Sequence, residues 1–181
     1  TTTWSGNDTL VSTTSWRYNT STSGDPFVHV HSATSAIQQS AGKTPNRALI
    51  GFSTLNLLKD NNLVIERIKY DSFGMADTNS LAQGFGVDAI VVGKATQNTG
   101  AEGIADSNTA IWSNNCLVYT VPASPGLRVA SAGYMLTDMR GMRVKQYRQN
   151  EIEGTFIEVN DAYVPTAIAT DSAYLITATD L

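Results

Sequence analysis

The side chains of this 181-residue sequence that could do chemistry fall into a few groups. His29 and His31 lie two apart, which on a helix points them about 200° from each other. They cannot share a metal there, and no Cys or acidic partner follows at ligand spacing. Glu151, Glu153, Glu158 and Asp161 would suffice for paired-carboxylate catalysis, yet they fall on predicted strands and turns that face solvent. Cys116 is the single cysteine, so no internal disulfide exists, and Leu117-Val118 beside it mark it as a small buried hydrophobe. Arg140, Arg143, Lys145 and Arg148 are the one basic concentration; they read as a solvated strand face or a salt-bridge partner for a neighbouring subunit, with a nucleic-acid contact as the second reading. Gly84-Phe85-Gly86 lacks the third glycine of a dinucleotide loop and follows a helix pattern, where glycine is a cap. There is no P-loop, no H-E-x-x-H and no G-x-S-x-G. No residue is therefore assigned as catalytic, cofactor-binding or metal-binding, and no cofactor is expected.

The composition agrees with a passive role. Hydrophobic residues make up 41% and charged residues only 15%, leaving a neutral polar surface rich in Thr, Ser, Asn and Gly. Such a surface lets subunits abut without desolvating ions. A net charge of −4 argues against a protein whose main task is gripping nucleic acid. No apolar run reaches the roughly 20 residues of a membrane helix and no secretory leader opens the chain, so a soluble protein without membrane partners is expected. A start at Thr1 rather than methionine suggests a processed form or a fragment.

The elements that would position these groups can be read in order. Residues 1–24, dominated by Thr and Ser with Trp4, Trp16 and Tyr18 as the aromatics, predict an extended arm lying on something else. Their sequons, Asn7-Asp8-Thr9 and Asn19-Thr20-Ser21, are expected by chance in such a tract. Asp25 as N-cap, Pro26 at the first helical position and Gly42 as left-handed cap predict a helix over 26–41, with Phe27, Val30, Thr34, Ile37 and Ala41 on one stripe. Arg47–Gly51 reads as a strand buried on both faces. Ser53 is the expected cap of a helix carrying Leu55, Leu58, Val64, Ile65 and Ile68, broken at Asp60-Asn61-Asn62. Thr78 or Asn79 caps a short helix to Phe85. Val87–Gly93 is expected as a central strand, and Gln97–Asn108 as an exposed tip. Ala110–Trp112 and Cys116–Val121 predict a hairpin. Strands then follow at 134–137, 142–149, 155–159, 163–170 and 174–179, and the alternation of Arg143, Lys145 and Tyr147 against Met142, Val144 and Gln146 leaves one face wet.

The order Gly24-Asp25-Pro26, Ala41-Gly42, Pro45-Asn46, the strand ending at Gly51, Glu66-Arg67-Ile68-Lys69-Tyr70, Leu81-Ala82 and Val87–Ala95 resembles major capsid proteins of tailed bacteriophages. Asn98, Ile111-Trp112, Val121-Pro122, Pro125-Gly126 and Ser131–Tyr134 keep that register, so the likeness runs from Asp25 to the end. It implies an α+β chain of the Hong Kong 97-like capsid fold: an axial domain with a central mixed sheet and flanking helices, and a peripheral domain with a spine helix and a narrow antiparallel sheet. On this sequence 1–24 would be the end of an extended loop, 25–44 the spine helix, 45–150 the axial domain and 151–181 the returning strands. Family members are usually longer upstream, and no covalent cross-linking chemistry is carried over.

The function so implied is structural and not enzymatic: a bacteriophage or prophage major capsid (coat) protein that self-assembles as hexamers and pentamers into an icosahedral shell around double-stranded DNA. Its partners would be copies of itself, scaffolding, portal or decoration proteins, and packaged DNA held only non-specifically. It would reside in the virion capsid after assembly in the bacterial host cytoplasm. The alternative in the same architecture is an encapsulin-like nanocompartment shell. From another class, a small ligand-binding module or hydrolase would be built on the carboxylates and Trp112.

Overall fold

The computed structural model describes residues 4, 6–10, 15–17, 24–69, 77–126, 128–138, 141–149, 151 and 153–177. Among the described residues it is a mixed α+β structure with a central mixed sheet and four α-helices, divided into two units: residues 1–132 with 169–181, and residues 133–168.

The larger unit is built on five strands, β1 (Gly6–Thr9), β2 (Arg47–Gly51), β3 (Ala89–Gly93), β6 (Cys116–Tyr119) and β11 (Ala173–Thr177). Their order is β1-β11-β6-β2-β3, parallel at the two outer pairs and antiparallel between. Val87–Gly93 is thus corrected from a central to an edge strand, and its Val91 is exposed. Ala48 and Ile50 of β2 project to the same side of the sheet and join the main buried cluster, while Leu49 on the other side is only half-buried, so the expected burial on both faces holds for one of them.

Helix α1 (Pro26–Ala41) begins and ends as its residue types require. The Asp25 carboxylate accepts from the Phe27 N–H at 3.0 Å, Pro26 occupies the first position, and Gly42 takes a left-handed conformation with its N–H on the Gln38 carbonyl. Asp25 also takes the Arg67 guanidinium at 2.5 Å, and that guanidinium lies 4.4 Å over the Phe27 ring. The buried stripe Phe27, Val30, Ala33 and Ile37 meets β11, β6, β1 and α4 (Thr78–Phe85). Helix α1 shares one buried cluster with the residues that follow it. Strands β8 (Arg143–Gln149) and β9 (Gly154–Asn160) are paired along their lengths.

Helices α2 (Phe52–Asp60) and α3 (Asn62–Ile68) meet at Asn61, where the break was expected. Its side chain accepts from the Leu63 N–H at 2.9 Å to cap α3, and donates to the Trp16 carbonyl at 2.6 Å. Ser53 is not the cap of α2: the helix starts one residue earlier, directly from the strand, with Gly51 at the cap position. The hydroxyls of Ser53 and Thr54 instead reach the Ser113 carbonyl. That carbonyl approaches so closely that a Cβ on Gly51 would stand 1.7 Å from its oxygen, so glycine is required there by contact and not by conformation. Asp77, not Thr78 or Asn79, is the N-cap of α4.

Two further expectations change. The Thr/Ser-rich start is part of the domain, because Leu10 and Trp16 are buried in the main cluster and β1 adds to β11. Trp16, fully enclosed, packs on Phe85 and sends its indole N–H to His29 Nδ1 at 3.0 Å. The 110–112/116–121 hairpin does not form: β5 (Asn108–Ala110) pairs with β4 (Thr96–Asn98), while β6 is taken up by β2 and β11. Tyr18, Asn19, Tyr70 and Arg140 lie outside the described residues.

The smaller unit is an antiparallel ribbon in two steps. β7 (Gly133–Thr137) pairs with β10 (Tyr163–Ala167), and β8 pairs with β9. The predicted strands of this segment all form, within a residue or so except that the fourth stops at Ala167 rather than Thr170.

Candidate functional site

The groups singled out for chemistry are dispersed. His29 serves Trp16 as an acceptor, and His31 is exposed one half-turn away. Cys116 is fully buried, and burial pushes its thiol from 9.0 up to about 12, far from the thiolate a nucleophile needs. Trp112 is committed to the fold: its indole N–H donates to the Asn115 carbonyl at 3.1 Å and its side chain covers Gly93. Glu151 and Glu153 sit exposed beside the β8–β9 turn, Asp161 is exposed between β9 and β10, and Glu158 lies within β9 accepting from the Asn160 amide. Among the described residues no three His, Cys, Asp or Glu side chains gather where they could share an ion. None of these groups is brought beside another in a nucleophile–base geometry.

What the structure does assemble is surface. In β8 and β9, residues facing the same way are Arg143, Lys145 and Tyr147 with Asn160, Glu158 and Phe156 opposite. The Tyr147 and Phe156 rings stack at 5.8 Å and 16°, and both remain substantially exposed, at 49% and 40%. The other face carries Val144 opposite Val159 and Gln146 opposite Ile157, and these three apolar residues are 61%, 59% and 68% exposed. One face is wet, as the alternation predicted; the other is apolar over Val144, Ile157 and Val159, ends at exposed Arg148 opposite Thr155, and is open. In the β7–β10 pair Leu136 and Val164 are likewise opposite and exposed. A two-stranded ribbon is marginal by itself in water, and contiguous exposed apolar residues mark interaction surfaces. Alternation is a local signal, and nothing local tells whether an apolar face finds its cover.

A second surface is the β4–β5 tip. Asn98 Oδ1 accepts from the N–H groups of Gly100 and Ser107 at 2.9 and 3.0 Å, its amide donates to Asp106 at 2.7 Å, and Gly103 turns the loop at φ 84°. This pinned loop presents Ile104, the most exposed large apolar side chain among the described residues at 70%. The expected tip at 97–108 is therefore a short hairpin with a fixed end.

No family model matches the chain. The major capsid protein of Burkholderia phage BcepMu is 28% identical over 162 residues, covering 87% of this chain and 51% of that protein. The chain resembles a phage major capsid protein. The likeness read from the sequence thus finds a relative of that name. The crystal structure of a phage-related protein from Bordetella bronchiseptica RB50 matches with a TM-score of 0.86 at 28% identity, over 97% of this chain and 57% of that one. The chain spans about half the length of the curated relative it matches. No helix among the described residues is long and apolar enough to cross a membrane.

Proposed function

We propose that this chain is part of a phage major capsid protein of the Hong Kong 97-like fold, a structural coat protein whose copies tile as hexamers and pentamers into an icosahedral shell around double-stranded DNA. The observation that carries the reading is the capsid relative aligned over 87% of the chain. The open faces of the ribbon supply what such a protein needs, extended surfaces for many modest interfaces whose effects multiply. Scaffolding, portal and decoration proteins would be further partners, and the virion capsid the place of residence.

Within this reading the axial lobe is the five-stranded unit and the ribbon is the narrow sheet of the peripheral lobe. In this reading a helix covers the apolar face of the ribbon, whose residues are open here. Two strands at about 4.8 Å spacing make a strip as wide as one helix, about 10 Å. Val144, Ile157 and Val159 are the surface such a helix would cover.

Electron microscopy of the complete reading frame expressed in bacteria tests the proposal. Closed icosahedral particles are expected, and Val144→Asp with Ile157→Asp should abolish them while the 181-residue chain keeps its circular dichroism. A wild-type product that stays monomeric at every concentration would refute the shell function.

A further inference from the structure

The wet face of the ribbon and the β4–β5 tip are complementary, and the geometry points to a contact in which the Ile104 tip of one copy seats on the Tyr147–Phe156 stack of a neighbouring copy. This rests on the shell reading for the presence of neighbours. The tip offers one apolar side chain between Glu102 and Asp106 and no basic residue from Thr96 to Ile111. Strand β8 offers Arg143, Lys145 and Arg148 and no acidic residue. Arg143 and Lys145 share a face with the stacked rings, and neither has an ion-pair partner among the described residues. With Ile104 over the rings, the Lys145 row is about 7 Å away along the strand, within reach of the Glu102 side chain. Asp106 holds Asn98 and keeps the tip rigid, so little loop entropy opposes docking. Two acidic tips would repel each other, which favours tip on ribbon over tip on tip. A basic strand beside exposed aromatics is also the look of a single-stranded nucleic-acid platform, but Glu158 lies within the face and Glu151 and Glu153 flank it.

Mixing single-cysteine variants tests the contact, since buried Cys116 stays silent. Ala105→Cys on the tip and Gln149→Cys, one row from the rings on the same face, are combined under oxidising conditions with one of them tagged. The mixed dimer is expected to form about tenfold faster than either like dimer. Glu102→Lys on the tip should remove that preference, and Lys145→Glu on the ribbon variant should restore it, with circular dichroism confirming the fold of each. Equal rates for mixed and like pairs, or no restoration by the swapped charges, would overturn the contact. So would a Lys145→Glu variant that loses retention on single-stranded DNA while cross-linking unchanged. Normal particle yield from the complete reading frame carrying Ile104→Asp would reject the contact and leave the shell reading standing, whereas absence of wild-type particles would remove the shell reading itself.

Discussion

The two units of this chain have similar apolar content and opposite fates for it. In the five-stranded unit Trp16, Ile37, Ile50, Leu58, Leu81 and Val118 are fully enclosed, each burial contributing about 1.5–3 kcal/mol. In the ribbon Val144, Ile157, Val159 and Val164 stay more than half exposed. The first unit largely satisfies itself: its helices with Leu10 and Trp16 share the main cluster with one face of the sheet, and Leu117, Ala132 and Ala173 form a second, smaller cluster. The ribbon satisfies its backbone by pairing but not its side chains, and that is the arrangement of a part meant to be completed by something else.

Substitutions can break or sharpen this contrast, and the largest effect belongs to the closed unit. Trp16→Ala should cost about 3–5 kcal/mol in guanidinium unfolding, since it removes a fully enclosed indole together with its bond to His29. If it costs less than a tenth of that, the N-terminal segment is not part of the core. Gly51→Ala follows at about 1–3 kcal/mol, because its methyl group meets the Ser113 backbone and not a movable side chain. Asn61→Ala should lose about 2 kcal/mol by stripping both the α3 cap and the bond to the Trp16 carbonyl.

Alkaline pH probes the seal of the same unit through Cys116, whose folded pKa is raised from 9.0 to about 12. The unfolded chain releases the thiol proton first, so stability should be intact below pH 9 and fall by about 1.4 kcal/mol per unit between 9 and 12. Comparing the wild type with Cys116→Ala isolates this slope, and identical pH profiles would mean the thiol is not sealed. The smallest effect is expected in the ribbon, where Ile157→Ala should change the stability of the 181-residue chain by less than about 0.5 kcal/mol. A cost above 2 kcal/mol there would mean that the dry face is already covered within the chain.

Much of the fold was legible because its signals are local. Asp25-Pro26 and Gly42 specify the ends of α1 through their own backbone chemistry, and Asn61 marks the α2–α3 junction through its short amide. The misreadings share a different cause. Ser53 looked like a cap, but a strand that runs straight into a helix leaves the cap position to Gly51, which the carbonyl of distant Ser113 crowds. Cys116–Val121 looked like half of a hairpin, yet its register is set by β2 and β11. As for the candidate surfaces, the basic strand and the polar loop were visible as such; the Tyr147–Phe156 stack and the exposed Ile104 were not, because cross-strand register and loop pinning are pairwise properties.

Local signals were enough to place the ends of α1, the α2–α3 break, the alternation of the strands and the capsid likeness, because caps, turns and periodicity act over a few residues. Only the tertiary structure decided that the Thr/Ser-rich start enters the core, that β3 is an edge, that α1 rests on the five-stranded sheet, and that the ribbon keeps a dry face open. Those outcomes depend on which distant segment reaches a given surface first and fits it, and side-chain pattern along a chain carries no record of that competition.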